Sequence, residues 1–202
     1  MNQSYLKTAF AAALAVVCAT ACTDNNPERN IQAAKDFIQK KDFKSAEIKI
    51  KSVQQKNPDL PEGRYLLGTI MLAQQNPVAA EIEFRKARAS GYPDNQVIPE
   101  LARATLLAGQ AQKVVDEWSS LHLDAPAADA KLQTTLADAY LVLKKPALAE
   151  SALAAALTAD SNYGPAQVAR ARIKAISGDF SAALSSWTAP PATMQARQRP
   201  GN

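Results

Sequence analysis

The sequence predicts an all-α chain built from stacked antiparallel helix pairs. Three observations carry that expectation: only seven glycines among 202 residues, an abundance of strong helix formers, and a residue pattern that returns every 34 positions. Ala, Leu, Lys, Gln and Glu lose little rotamer freedom in a helix, so such a composition favours helix throughout. With 47% apolar and 21% charged residues, the chain suits one soluble domain or one repeat array.

The repeat organises everything else. Ala46, Ile50, Val53 and Pro58 are followed 34 residues later by Ala80, Phe84, Ala87 and Tyr92, with Pro93 one step beyond. Upstream of each set a small pair precedes a larger residue, Ala33-Ala34 with Phe37 and Leu67-Gly68 with Met71. A third unit places Leu101-Ala102 and Thr105 before Val114, Trp118 and Leu121. The fourth has Leu136-Ala137, Tyr140, Ala149, Leu153 and Ala156, shifted by 35, so one residue enters the connection around Asp124 to Ala130. A fifth keeps Ala171, Gly178-Asp179-Phe180 and Ala183.

A period of 34 residues in a helix-turn-helix pattern is that of the tetratricopeptide repeat (TPR). The expected fold is therefore a right-handed superhelical solenoid of antiparallel helix pairs, about five repeats with the last incomplete. Repeats are assigned to residues 27–60, 61–94, 95–129, 130–163 and, in part, 164–187, with a disordered tail at 188–202. Small residues at the eighth position, Ala34, Gly68, Ala102, Ala137 and Ala171, let helix A approach helix B, and Phe37, Met71 and Tyr140 fill the space beside them. Large residues near position twenty-four are expected to pack on the next unit. Gln75-Asn76-Pro77, Gly109-Gln110 and Ser177-Gly178-Asp179 supply turns within units, and Pro58, Pro61, Pro93 and Pro126 fall between them.

After Ser186 the pattern stops, because Pro190-Pro191 cannot continue a helix. Repeat arrays ordinarily end in a polar capping element, so the expectation is a truncated array; a shifted reading frame or a partner covering the end are the alternatives.

Residues 1–21 read as a lipoprotein leader: Lys7, an apolar run from Ala9 to Val17, then Ala19-Thr20-Ala21 before Cys22. Signal peptidase II would cut before Cys22 and leave it lipidated, with residues 22–26 as a polar tether; ordinary secretion after an A-x-A site is the alternative. Lipidation would remove Cys18 with the leader and cap Cys22, so no disulfide or cysteine metal site is expected. Thr23 in place of Asp beside Cys22 favours the periplasmic face of the outer membrane. The formal charge of +4 falls to +3 without Lys7, and the basic residues read as dispersed, which argues against nucleic acid.

No catalytic constellation is evident. The one histidine, His122, lies in a turn, where a solvated role outweighs a triad or metal site. No glycine pair has phosphate-loop spacing. Asp116 with Glu117, and Glu81 with Glu83, do not share a helix face and read as solvated charge. Trp118 and Trp187 occupy packing positions. Neither enzyme activity, cofactor nor metal is expected.

What remains is a groove lined by the A helices. Position nine of each unit supplies Lys35, Thr69, Arg103, Asp138 and Arg172, and position five supplies Ile31, Tyr65, Pro99, Thr134 and Val168. The protein-binding candidates are Lys35, Tyr65, Thr69, Arg103, Asp138 and Arg172, with Tyr65, Arg103 and Arg172 as anchors for an extended peptide. The Lys/Asn/Arg set that clamps a C-terminal carboxylate in some chaperone-binding arrays is missing, since Thr69 and Asp138 interrupt it.

Gly91-Tyr92-Pro93, Leu101-Ala102-Arg103-Ala104, Leu107, Gly109-Gln110 and Val114-Val115-Asp116-Glu117 resemble the TPR-repeat lipoprotein family of the PEP-CTERM system, as do Lys41-Asp42-Phe43 and Ala139-Tyr140-Leu141 with Ala149-Glu150. The resemblance runs from Cys22 to about Ala183. It implies a lipid-anchored envelope scaffold whose partners belong to exopolysaccharide biosynthesis or exosortase protein sorting. A TPR lipoprotein of pilus or outer-membrane assembly, and a TPR segment of a larger enzyme, are the competing readings.

Overall fold

The computed structural model describes residues 26–176. The leader, Cys22, Trp187, the second half of the fifth repeat and the tail lie outside the described residues. Among those described there are nine α-helices and no strand. The chain divides into two compact units, one ending at Pro58 and the other beginning at Asp59. The first holds α1 (Pro27–Gln39) and α2 (Phe43–Gln54). The second holds α3 (Pro61–Ala73), α4 (Pro77–Ala89), α5 (Asp94–Leu107), α6 (Ala111–Trp118), α7 (Pro126–Val142), α8 (Pro146–Ala159) and α9 (Gly164–Ile176).

The four described turns inside helix pairs share one three-residue construction. Its middle residue, Lys41, Gln75, Gly109 or Lys144, has positive φ, at 60°, 60°, 81° and 58° respectively. The residue after it donates its N–H five positions back: Asp42 to Phe37 O and Asn76 to Met71 O at 2.9 Å, Gln110 to Thr105 O at 3.1 Å, Lys145 to Tyr140 O at 2.9 Å. This left-handed closure satisfies carbonyls that the end of helix A would otherwise leave unpaired. Glycine takes the strained position only once among the four.

The next residue starts helix B. Asp42 and Asn76 cap α2 and α4 by accepting from the N–H groups of Ser45 at 3.1 Å and Ala79 at 3.2 Å. Those bonds from Ser45 hold the Asp42 carboxyl below its ordinary value. Proline opens α1, α3, α4, α7 and α8, where its missing N–H has no helical partner to lose. Helix α7 begins at Pro126, so residues 126–130 are helix, not connection. The longer joint is Ser119–Ala125, and it is pinned by α7: Gln133 donates to Leu121 O at 3.0 Å, and Asp129 accepts from Leu123 N at 3.1 Å.

Packing follows the repeat. The position-eight residues Ala34, Gly68, Ala102 and Ala137 are buried, as are Ala46, Ala80, Val114 and Ala149 at position twenty. At position twenty-four Ile50, Phe84, Trp118 and Leu153 are buried. Gly68 shows why the small residue is needed: a Cβ there would stand 2.7 Å from Phe84 Cε1. Within the second unit α5 packs on both α3 and α4, α7 on α5 and α6, and α9 on α7 and α8. Within this unit each later helix A thus fills the furrow left by the preceding pair, which is how a solenoid covers its apolar faces.

Two carboxylates expected in solvent are structural. Glu81 is only 7% exposed in its side chain and accepts from Lys113 Nζ at 2.8 Å, Arg85 Nε at 3.0 Å and Gln110 at 3.1 Å. Burial pushes its pKa up, but the bonds from Lys113 and Arg85 outweigh that and leave it below the ordinary value. Arg85 also reaches Glu117 with two bonds, at 2.9 and 3.1 Å, tying α4 to α6. Glu83 faces the other way and accepts from Arg64 of α3 at 2.9 Å. The two acids indeed occupy different faces; what sequence could not show was the cation waiting at each.

Gly68→Leu will destabilise the fold by about 1–3 kcal/mol, because buried Phe84 has no room to withdraw. Urea unfolding measures it, and an unchanged midpoint would contradict the packing register. Gln75→Gly will stabilise by about 1 kcal/mol through relief of the left-handed backbone. A lowered melting temperature would show that the turn is not strained.

Candidate protein-binding groove

Helices α3, α5, α7 and α9 lie side by side in the second unit, and their shared face carries most of the predicted anchors. On α3, Tyr65 stacks on Tyr92 of the α4–α5 joint, ring centroids 4.4 Å apart and planes at 18°, and touches Phe84 at 5.6 Å. Gly91 precedes that joint with φ 89°, turning the chain so that Tyr92 can fold back. The Tyr92 hydroxyl bonds Gln96 Oε1 at 2.9 Å. Burial, reinforced by nearby Glu100, pushes the Tyr65 hydroxyl up to about 12, so it stays a neutral donor at any physiological pH. Thr69 is turned inward, its hydroxyl donating to Tyr65 O at 3.1 Å.

On α5 and α7 the groove is charged. Arg103 is 55% exposed, with Glu100 its nearest carboxylate at 3.9 Å. Glu100 itself bonds Lys131 of α7. One helix further on, Asp138 pairs with Arg172 of α9 at 2.8 Å, joining two position-nine residues 34 apart. Arg172 is therefore a compensated charge and not a free anchor, and Arg103 is the cation left most available. Lys35 belongs to the first unit and is half-buried.

Position five is less exposed than expected. Ile31, Pro99 and Thr134 are buried, and the Thr134 hydroxyl turns back onto Ala130 O at 2.7 Å. Only Tyr65 and Val168 of that set reach the surface, Tyr65 in part. In α5 and α7 helix A is turned so that position five faces the core.

Two recesses meet at Arg103. One, of about 370 Å³, lies between α5 and α7 and is bounded by Arg103, Leu106, Lys131, Thr135, Asp138 and Tyr163. The other, of about 550 Å³, lies between the α3–α4 turn and α5, with Leu72, Ala73, Pro77, Arg103 and Leu107 on its walls. Leu107 lines both and is 56% exposed. Mixed walls with Leu72, Leu106 and Leu107 beside one under-compensated guanidinium suit an extended segment that offers an apolar side chain and a carboxylate.

Glu100, Leu107, Lys131 and Tyr163 escaped the sequence reading. Lys131 stands at position two, which groove geometry includes; Leu107 and Tyr163 follow no such rule and are seen only once neighbouring helices are placed.

His122 lies in the Ser119–Ala125 joint and is exposed, with Nδ1 3.2 Å from Asp129 Oδ2. Ser151, which shares a recess with it, donates instead to Ala147 O at 3.1 Å. No serine hydroxyl bonds His122 among the described residues, so the His-Asp contact serves the joint. Among the described residues no three His, Cys, Asp or Glu side chains gather to hold a metal ion, and no helix is long and apolar enough to cross a membrane.

Paired helices closed by a recurrent three-residue turn, and within the second unit seated each on the pair before, constitute a tetratricopeptide-repeat fold. Solved structures agree. The fold is similar to that reported in the functional characterization of Pseudomonas aeruginosa PilF, with a TM-score of 0.64, 16% identity, and 87% of this chain and 78% of that one covered. It is also similar to a tetratricopeptide repeat protein from Parabacteroides merdae, with a TM-score of 0.61, 20% identity, and 85% and 68% covered. No protein-family model matches the sequence, and no curated protein matches it. At such identities the likeness is one of fold.

Proposed function

We propose that the chain is a non-enzymatic scaffold that binds an extended segment of a partner protein along α3, α5, α7 and α9. The observation that carries this reading is Arg103, an exposed and under-compensated cation between two recesses that share Leu107. A scaffold needs no reaction centre, and the polar clusters found all have structural partners. The setting we propose is the bacterial envelope, with lipid on Cys22 holding the chain at the periplasmic face of the outer membrane. Within it, exopolysaccharide biosynthesis or PEP-CTERM protein sorting is the role favoured by the Gly91-Tyr92-Pro93 and Leu101-Ala102-Arg103-Ala104 segments.

Arg103→Glu will weaken capture of the partner by about tenfold or more, equivalent to ~1.4 kcal/mol. Its unfolding free energy will stay within about 0.5 kcal/mol, as an exposed side chain with one distant acid should. Equal affinity in a binding titration would remove the groove from consideration. Cys22→Ala will abolish palmitate labelling and release the protein from membranes into the periplasmic fraction. Retention of label would defeat the lipidation site.

A further inference from the structure

The positive charge of this chain is not dispersed. Residues 40–56 contain six lysines, Lys40, Lys41, Lys44, Lys49, Lys51 and Lys56, against Asp42 and Glu47, while the remainder carries seventeen basic and seventeen acidic residues. The whole excess of +4 therefore sits on α2 and its two ends.

The structure turns that excess outward. Helix α2 buries Ala46, Ile50 and Val53, and the opposite face presents Lys44, Ile48 and Lys51, spaced one turn apart. Ile48 is 68% exposed, the most of any large apolar side chain described. Asp42 is occupied with capping the helix, and Glu47 pairs with Lys51 at 2.6 Å. Lys40, Lys41, Lys49 and Lys56 form no ion pair among the described residues, and Lys44 meets an acid only through its attraction to the capping Asp42. In the second unit Arg64, Arg85, Lys86 and Arg88 each lie within 3.0 Å of a carboxylate.

The composition of the patch selects among anionic partners. It has six lysines and no arginine. Arginine provides the planar fork that recognises individual carboxylates or nucleic-acid groups, whereas lysine is a hydrated point charge on a flexible stem. Flexible lysines around one open isoleucine fit a diffuse layer of phosphate headgroups: the stems lie along the interface, the ammonium groups reach phosphate, and the isoleucine enters the acyl boundary. We propose that this face of α2 docks on an anionic phospholipid surface. It is an attachment separate from the groove, and it does not depend on whether Cys22 carries lipid.

The test uses the secreted full chain bearing Cys22→Ala, so that no lipid anchor contributes, and follows its flotation with vesicles. Binding to phosphatidylethanolamine vesicles containing phosphatidylglycerol is expected to exceed binding to phosphatidylcholine vesicles by about tenfold or more, and to disappear at roughly 0.5 M salt, where charges are screened within a few ångströms. Each lysine at such a surface strengthens partition by about fivefold, so Lys44→Gln with Lys49→Gln should reduce it by about 25-fold. Ile48→Ser should reduce it by about tenfold. Lys144→Gln with Lys145→Gln, the same loss of charge at the exposed α7–α8 turn, should leave it unchanged. Circular dichroism will show all variants folded. Equal binding to both vesicle types, insensitivity to salt, an equal loss in the Lys144/Lys145 pair, or stronger binding to duplex DNA or polyglutamate than to anionic vesicles would overturn the proposal.

Discussion

The molecule depends on how closely helix A can approach helix B, and that distance is set by one small side chain per repeat. Where Gly68 faces Phe84 there is no room for even a methyl group. With the axes this near, the large residue at position twenty-four buries completely, and the outer surface of each pair acquires a furrow that only another helix can fill. Stacking follows from that unfilled furrow, as it does in any repeat array whose units cannot cover their own apolar faces. The groove is then a by-product: helices packed in the furrows bring their remaining faces into a row.

Much of this was legible beforehand because packing demands the same residue sizes at the same intervals. The 34-residue spacing located α1 to α5, α8 and α9 closely, and positions eight, twenty and twenty-four are all core in the first four repeats. The exception is α7, where the added residue was assigned to the connection. Pro126 is a starter at the first position of α7 and not a breaker, and the surplus residue is absorbed by a longer α7 and a joint held by Asp129 and Gln133.

The polar layer was less legible. A charge read along one chain shows no partner that lies 32 or 34 residues away, so from sequence Glu81, clamped by Lys113, and Arg172, compensated by Asp138, look like solvated or available groups. Position five failed for a different reason. Its exposure depends on how helix A is turned against its neighbours, which leaves Tyr65 partly at the surface and Pro99 in the core. Charge distribution was misjudged for a third: mixing of signs along helices hid the imbalance confined to residues 40–56.

The left-handed turn has a wider implication. Its closing bond runs from backbone to backbone, and Lys, Gln, Gly and Lys serve at its centre without altering the form of the joint. A hinge so indifferent to side chains frees the surrounding surface to diverge, since copies of a unit keep their internal angle whatever sequence they later acquire. Genetic duplication of such a segment lengthens the array without redesigning any corner. Divergence can then be directed wholly at the exposed faces, where new ligands are met.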